Sequence, residues 1–409
     1  MKHPFQKVLL NSDASLLFAA AGNKVYVFSG PESWKLVDSW VDTVDPNYSL
    51  IKEYEARIQR YEQEVKESGS TDHRPPKVPT PGAGAPAKIC YIRDIQLSRN
   101  EKYLILTTDT DKAVVVFEII DGHLKEVKRQ PLPKRTCSIT TSLDDTKILV
   151  GDKFGDVYSV DTLDPEIVSE KDLVPVLGHV SMLTSVLNIG NGSGKEFVIT
   201  TDRDEHIRIS QFPKSYVIEN WLFEHEEFIS SIVAPQWCDN KVLISAGGDK
   251  FICSWNWQEG SLVDKFDYSA DIEPFLTAEN LAPSRFQNEE GDLMEYAVSQ
   301  LIQVPKLNKL VVLFDRLAAF FVVSVSADGK LALDKSVSVS STIICGAANN
   351  NRLILSVKGD ENCLLEYNLE NWEHKELTEV YGCNDVEWNE KGDLFASFSV
   401  NQLRKRSEH

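Results

Sequence analysis

Along most of the chain, apolar runs of strand length alternate with polar turns, and the alternation itself repeats. Four segments align directly: LTTDTDKAVVVF (106–117), LVGDKFGDVYSV (149–160), ITTDRDEHIRIS (199–210) and ISAGGDKFICSW (244–255). Each reads apolar strand, polar turn, apolar strand. Asp111, Gly155, Asp204 and Asp249 fall at equivalent turn positions, 44, 49 and 45 residues apart, close to the ~40–45-residue period of propeller blades. The interval leaves room for two more strands, hence four per unit. Weaker copies are FQKVLLNSDASLLFAAAGNKVYVFSG (5–30), with Asn23 at its turn, and AVSQLIQVPKLNKLVVLFDRLAAFFVVSV (297–325) and STIICGAANNNRLILSVKGDENCLLEYNLE (341–370). They bring the number of blades to seven, and the pattern predicts an all-β, seven-bladed propeller spanning residues 1–409 as one domain. VEWNEKGDLFASF (386–398) falls outside the seven, as a closing strand or an appended hairpin.

The copy HEEFISSIVAPQWCDNKVLISAGGDKFICSWNW carries His225, Ser245, Asp249 and Trp255 in the order and spacing of a WD repeat, with Asn256 where the usual Asp follows the Trp. The copy before it supplies His179, Thr200 and Asp204, with Ser210 in place of the Trp. In such a repeat the His, the Ser or Thr, the turn Asp and the indole form a buried hydrogen-bonded chain. These residues are expected to be structural.

Two segments break the period. Residues 44–87 begin with a helical pattern, Leu50, Ile51, Tyr54, Ile58, Tyr61 and Val65 forming one stripe opposite charges, which predicts a helix lying against the propeller or a partner. A Pro/Gly-rich loop follows. Residues 268–294 form a long connection between the fifth and sixth blades, and long ordered loops are often functional.

The formal net charge of −19 argues against a broad embrace of nucleic acid or anionic membrane. Any RNA contact must come from local basic patches. No stretch approaches the ~18 apolar residues of a membrane span and no leader pattern opens the chain, which reads as intracellular and soluble. Seven scattered cysteines without a CxxC disfavour a disulfide framework or zinc site and predict thiols, mostly on strands.

Candidate chemistry is sparse. GAGAP (82–86) lacks the strand before and helix after that a nucleotide or S-adenosylmethionine loop requires, and reads as a proline-rich linker. Asp202 with Asp204 is a candidate acid/base pair, and Asp204, Glu205 and His206 a candidate metal set, but no nucleophile–base pair or metal spacing accompanies them. Arg203, Glu205 and Arg208 are not explained by the repeat: they make either a solvated turn or a charged docking rim. Two basic clusters, Lys125, Lys128, Arg129, Lys134 and Arg135, then Arg404, Lys405 and Arg406, are candidate phosphate contacts or solvated faces that block edge pairing.

DKFGDVYS, LGHVSMLT, TDRDEHIRIS, EFISSI, SAGGD, LAPSRFQNE, KVPTPGAGAP and LRKRSEH together resemble the WD-repeat, non-catalytic subunits of the fungal and animal tRNA (guanine-N7)-methyltransferases. The resemblance implies a nuclear, non-enzymatic subunit paired with a Rossmann-type methyltransferase, which binds the S-adenosylmethionine and methylates a guanine in the tRNA variable loop. This chain is then expected to hold no cofactor and no metal, to stabilise and activate its partner, and to help position tRNA. It also implies docking beside the DRDEHIR blade through Arg208, with Asp202, Arg203, Glu205 and Lys153 as neighbours. On that reading Arg208→Glu leaves the propeller folded and releases the methyltransferase. A generic WD-repeat scaffold that binds peptides is the alternative.

Overall fold

The repeat becomes seven four-stranded antiparallel sheets. The computed structural model describes residues 2–30, 32–68, 74–78, 90–359, 364–388 and 399–406. The innermost strand of each sheet contacts that of the next, and Lys7–Leu10 of blade 1 meets Ile343–Asn349 of blade 7. The ring is therefore closed. In blade 4 the strands run Leu183–Gly190, Glu196–Asp202, Ile207–Phe212 and Ile218–Leu222; in blade 5, Ile229–Val233, Val242–Gly247, Phe251–Asn256 and Ser261–Asp267.

Each blade is sandwiched between two others, so its middle strands are covered on both faces and read as continuous apolar runs. Ala113–Ile120, AVVVFEII, is buried through its first five residues. Outer strands have one wet face, and Ser261–Asp267 is accordingly half-buried to exposed throughout. The core is a set of inter-blade layers. Phe18, Val25 and Val27 of blade 1 pack with Leu104, Leu106, Val115 and Phe117 of blade 2. Burying one such side chain stabilises by roughly 1.5–3 kcal/mol.

Polar groups facing the central channel tie blade to blade. Ser138 Oγ accepts from Val186 N, and Ser231 Oγ from Leu301 N, each at 3.1 Å. Gln300 reaches both Gly346 O and Gly346 N, at 2.9 and 3.1 Å. Every tie satisfies a backbone or side-chain polar group at the inner edge of a blade.

Ring closure uses part of the unassigned piece. His3 N donates to Val386 O at 2.8 Å, Asn384 Nδ2 to His3 O at 2.7 Å, and Lys2 pairs with Glu387 in an isolated bridge. Residues 389–398 lie outside the described residues, as does GAGAP.

The insertion after blade 1 contains the helix Tyr48–Ser68, which has no buried residue. Its apolar stripe is half-buried at Leu50, Tyr54, Ile58, Tyr61 and Val65; Lys52, 2.5 Å from Glu170, touches the loop between the third and fourth strands of blade 3. Between blades 5 and 6, a short helix, Ser269–Ile272, is followed by three 3-10 turns, with Tyr268 and Ile272 fully buried beside Phe314 and Phe321.

Candidate functional site

All the turns between second and third strands share one end of the ring, and the 202–206 corner of blade 4 is among them. Asp202 closes its strand and is buried. Its Oδ1 accepts from Asp204 N and His206 N, at 2.9 and 3.0 Å, which fixes the turn, and its Oδ2 lies 2.8 Å from His179 Nδ1. His179 Nε2 lies 2.7 Å from Thr200 Oγ1. The carboxylate that completes the polar chain is thus Asp202, a correction to the assignment of Asp204. Burial alone would raise the Asp202 carboxyl, but the bonds from His179 and His206 outweigh it and hold it below the ordinary range. Asp204 is turned outward to Ser181 Oγ at 2.7 Å and Lys405 Nζ at 3.0 Å.

In blade 5 the chain is complete. Trp255 Nε1 donates to Ser245 Oγ at 2.8 Å, Ser245 lies 2.7 Å from His225 Nε2, and His225 Nδ1 lies 2.6 Å from Asp249 Oδ2. A carboxylate only accepts, so the His225 proton sits on Nδ1 and Nε2 takes the Ser245 hydroxyl.

Arg208 is not on the rim. It is 8 % exposed, and its guanidinium donates to Ser210 Oγ at 2.9 Å, Gly178 O at 2.9 Å and Ser215 O at 3.0 Å. Ser210 stands where the indole stands in blade 5, and Arg208 fills the space beside it. Burial depresses its pKa, with no carboxylate partner to offset this. The expected surface role gives way to an internal one. Arg203 is half-buried, donating to Leu403 O at 2.8 Å, while Glu205, at φ 72°, pairs with Lys405 at 3.3 Å. Lys153 is exposed on the blade 3 turn.

The basic candidates divide the same way. Lys128 is buried and donates to Asp161 O at 2.8 Å. Arg129 chelates Asp111 at 2.7 and 2.8 Å and reaches Asp42 at 3.0 Å, tying blade 2 to the exit of blade 1. Arg404, Lys405 and Arg406 all pair with carboxylates of the propeller. Lys125, Lys134 and Arg135 stay exposed, with Lys125 3.3 Å from Glu118 and Arg135 3.1 Å from Asp109. Seven of the eight candidate phosphate contacts are therefore paired with carboxylates or a carbonyl of the chain itself.

The Arg129 pair has a pH signature. Burial alone would raise Asp111, but Arg129 outweighs it and lowers the carboxyl below its ordinary value. The pair therefore stabilises the fold above the unfolded pKa of about 4, and that stability disappears as pH falls through the lower folded value. Asp111→Asn is expected to lower the melting temperature near neutrality and to flatten its fall below about pH 4. Thermal unfolding of both chains across that range tests it; parallel curves would remove Asp111 from the acid response.

Two features were missed by reasoning from the sequence. At the end of the outer strand of blade 4, Trp221 and Phe223 stack 6.2 Å apart at 12°, and His206 meets both edge-on at 5.8 Å. Phe223 is 65 % exposed and Val180 nearby is fully exposed. On the blade 3 turn, Phe154 is 55 % exposed with Lys134 Nζ 4.4 Å and Lys153 Nζ 5.4 Å from its ring. The signal was available: WLF at the end of an outer strand, and an aromatic at the tip of DKFG.

The family described as tRNA methyltransferase TRM82 WD40 domain matches residues 17–175 and 164–379. The tRNA (guanine-N(7)-)-methyltransferase non-catalytic subunit TRM82 of Kluyveromyces lactis is 43% identical over 88% of this chain and 86% of its own length. The protein of the same name from Meyerozyma guilliermondii is 39% identical over 100% of both. Among solved structures, that of U3-55K superposes with a TM-score of 0.59 at 12% identity, over 87% of this chain and 89% of that one, a likeness of fold.

Proposed function

The chain belongs to the TRM82 family of WD40 proteins, and from that premise we propose that it is the rigid half of a two-subunit tRNA (guanine-N7)-methyltransferase. It is the non-catalytic subunit. In this proposal a separate methyltransferase chain binds S-adenosylmethionine and carries out the transfer, and both work in the nucleus. The propeller's contribution is shape: a closed ring with shared cores presents one fixed surface, against which mobile elements of the partner settle into a single arrangement.

The observation that carries the docking assignment is the His206–Trp221–Phe223 cluster. Stacked aromatics exposed on a rigid edge are large apolar area already held in place, so binding them costs little ordering entropy. Arg208 supports this surface from behind, its guanidinium 5.9 Å from the Trp221 ring. For tRNA, the patch of Lys134, Arg135, Lys153 and Phe154 supplies cations next to a ring on which a base can stack.

Two paired variants, each co-expressed with the catalytic subunit, separate these roles. Trp221→Ala with Phe223→Ala is expected to weaken the complex by about 30-fold or more while the propeller, at a lower melting temperature, stays folded under the assay conditions. A complex of unaltered affinity would move the interface elsewhere. Lys134→Ala with Lys153→Ala is expected to keep the complex but weaken its tRNA binding, lowering the salt-dependence slope by about 2. An unchanged slope would assign tRNA contact to other residues.

A further inference from the structure

Residues 399–406 lie across the same end of the ring as the 202–206 corner. Ser399 Oγ donates to Asp315 Oδ2 at 2.7 Å, and Val400 lines the mouth of the central channel. Arg404 then enters a groove between blade 5 and the connection to blade 6. Its Nη1 sits 2.8 Å from Glu227, its Nη2 donates to Gly248 O and Tyr296 O, both at 2.9 Å, and its plane lies 5.7 Å from the Phe228 ring. Lys405 bridges Asp204 and Glu205, and Arg406 chelates Glu295 at 2.9 and 2.6 Å.

This is a cation receptor filled by part of its own chain. Four carboxylates and two carbonyls face three cations. Burial holds the Glu227 carboxyl above its ordinary range although Arg404 pulls it down, so one counter-charge does not fully compensate it. The fit is also loose: Arg404 Nε and Asn401 Oδ1 are buried without a hydrogen-bond partner, and Arg404 borders a cavity of 270 Å³ walled also by Phe286, Glu295 and Tyr296. None of the seven sheets uses residues 399–406. The tail can therefore leave without unpairing a strand.

We propose that this groove is a docking site for an arginine- and lysine-rich peptide segment of another protein, and that the chain's own Arg404-Lys405-Arg406 is its built-in competitor. Carboxylates select against nucleic acid, and the two carbonyls suit the fork of a guanidinium. Tail and incoming peptide exchange on one set of acceptors, so the site opens only to a segment that outcompetes a tethered one. The inference stands apart from the methyltransferase reading, since it uses neither the aromatic cluster nor the basic patch.

The test uses a fluorescein-labelled peptide with the sequence of residues 399–406, SVNQLRKR. A tail that fills the groove nine-tenths of the time reduces apparent affinity by about tenfold. The peptide is thus expected to bind a chain ending at residue 398 at least about tenfold more tightly than the intact chain. Adding Glu227→Gln and Glu295→Gln to the shortened chain should abolish binding, as should replacing the peptide's Arg and Lys by Gln. Should the shortened chain fail to fold, the intact chain carrying a fluorophore at its C-terminus gives the same answer: excess unlabelled peptide lowers the anisotropy as the tail is displaced. A folded shortened chain that ignores the peptide, equal binding to the double Gln variant, preference for a single-stranded RNA oligonucleotide, or an anisotropy unmoved by peptide each overturns the proposal and leaves the tail a fixed structural strap.

Discussion

Arg208→Glu is expected to unfold the propeller, or bring it close to unfolding, in the absence of any partner. The wild-type guanidinium is buried and satisfies Ser210 Oγ and two carbonyls, Gly178 O and Ser215 O. Glutamate brings no donor to those carbonyls and places a carboxylate against them. Leaving a buried charge unmatched costs about 3–5 kcal/mol, out of a total stability of about 5–15 kcal/mol for a typical domain. Arg208→Lys keeps the charge but replaces a planar fork by a single ammonium, and should lose about 1–3 kcal/mol. Urea unfolding of the isolated chains measures both. Two midpoints indistinguishable from wild type would mean that the side chain is solvated after all. The functional consequence is a caution for pull-downs: loss of the methyltransferase from an Arg208→Glu chain reports a damaged blade, whereas loss from Trp221→Ala with Phe223→Ala reports a damaged surface.

Arg208 also shows where sequence reasoning stops. The blade period was legible because turns need Gly, Asp or Asn at fixed offsets while strands need apolar runs, and both survive weak repeats. Exposure was not. In a sheet covered on both faces, the side chains alternating with Ile207 and Ile209 point into a neighbouring blade, so alternation alone does not separate a buried arginine from a wet one. The polar chain was read correctly in blade 5, yet the blade 4 carboxylate was placed two residues late. The two hairpins pair alike, Thr200 with Arg208 and Ser245 with Cys253, but they differ at the strand end. In blade 5 a Cβ at Gly247 would lie 1.9 Å from Phe228 O, so the carboxylate has to come from Asp249. Blade 4 has room for Asp202 at the matching position, which frees Asp204 for Lys405. Spacing carries the motif, and steric clearance decides which residue fills it. The exposed aromatics were legible in kind but not in place, because only the ring shows that the outer strand of blade 4 has no neighbour covering it.

Asp249→Ala should be the most damaging change in blade 5. The carboxylate accepts from His225 Nδ1 at 2.6 Å and from Glu226 N at 2.9 Å, and it is buried. Alanine leaves both donors facing a void. Each unsatisfied buried donor costs about 1–3 kcal/mol, so the expected loss is about 3–5 kcal/mol. Asp249→Asn separates charge from shape. Its amide oxygen can still accept from one of the two donors, but its NH2 group then meets the other, donor against donor, and the loss should be smaller than for alanine yet clearly measurable. Trp255→Phe removes only the far end of the chain, the 2.8 Å bond to Ser245 Oγ, and keeps most of the ring's bulk; about 1 kcal/mol is the expected cost. The order Asp249→Ala, Asp249→Asn, Trp255→Phe follows from a chain anchored at its charged end, and urea midpoints for the three variants report it directly. Equal losses for Trp255→Phe and Asp249→Ala would show that the indole's packing governs blade 5 and that the carboxylate is a passenger.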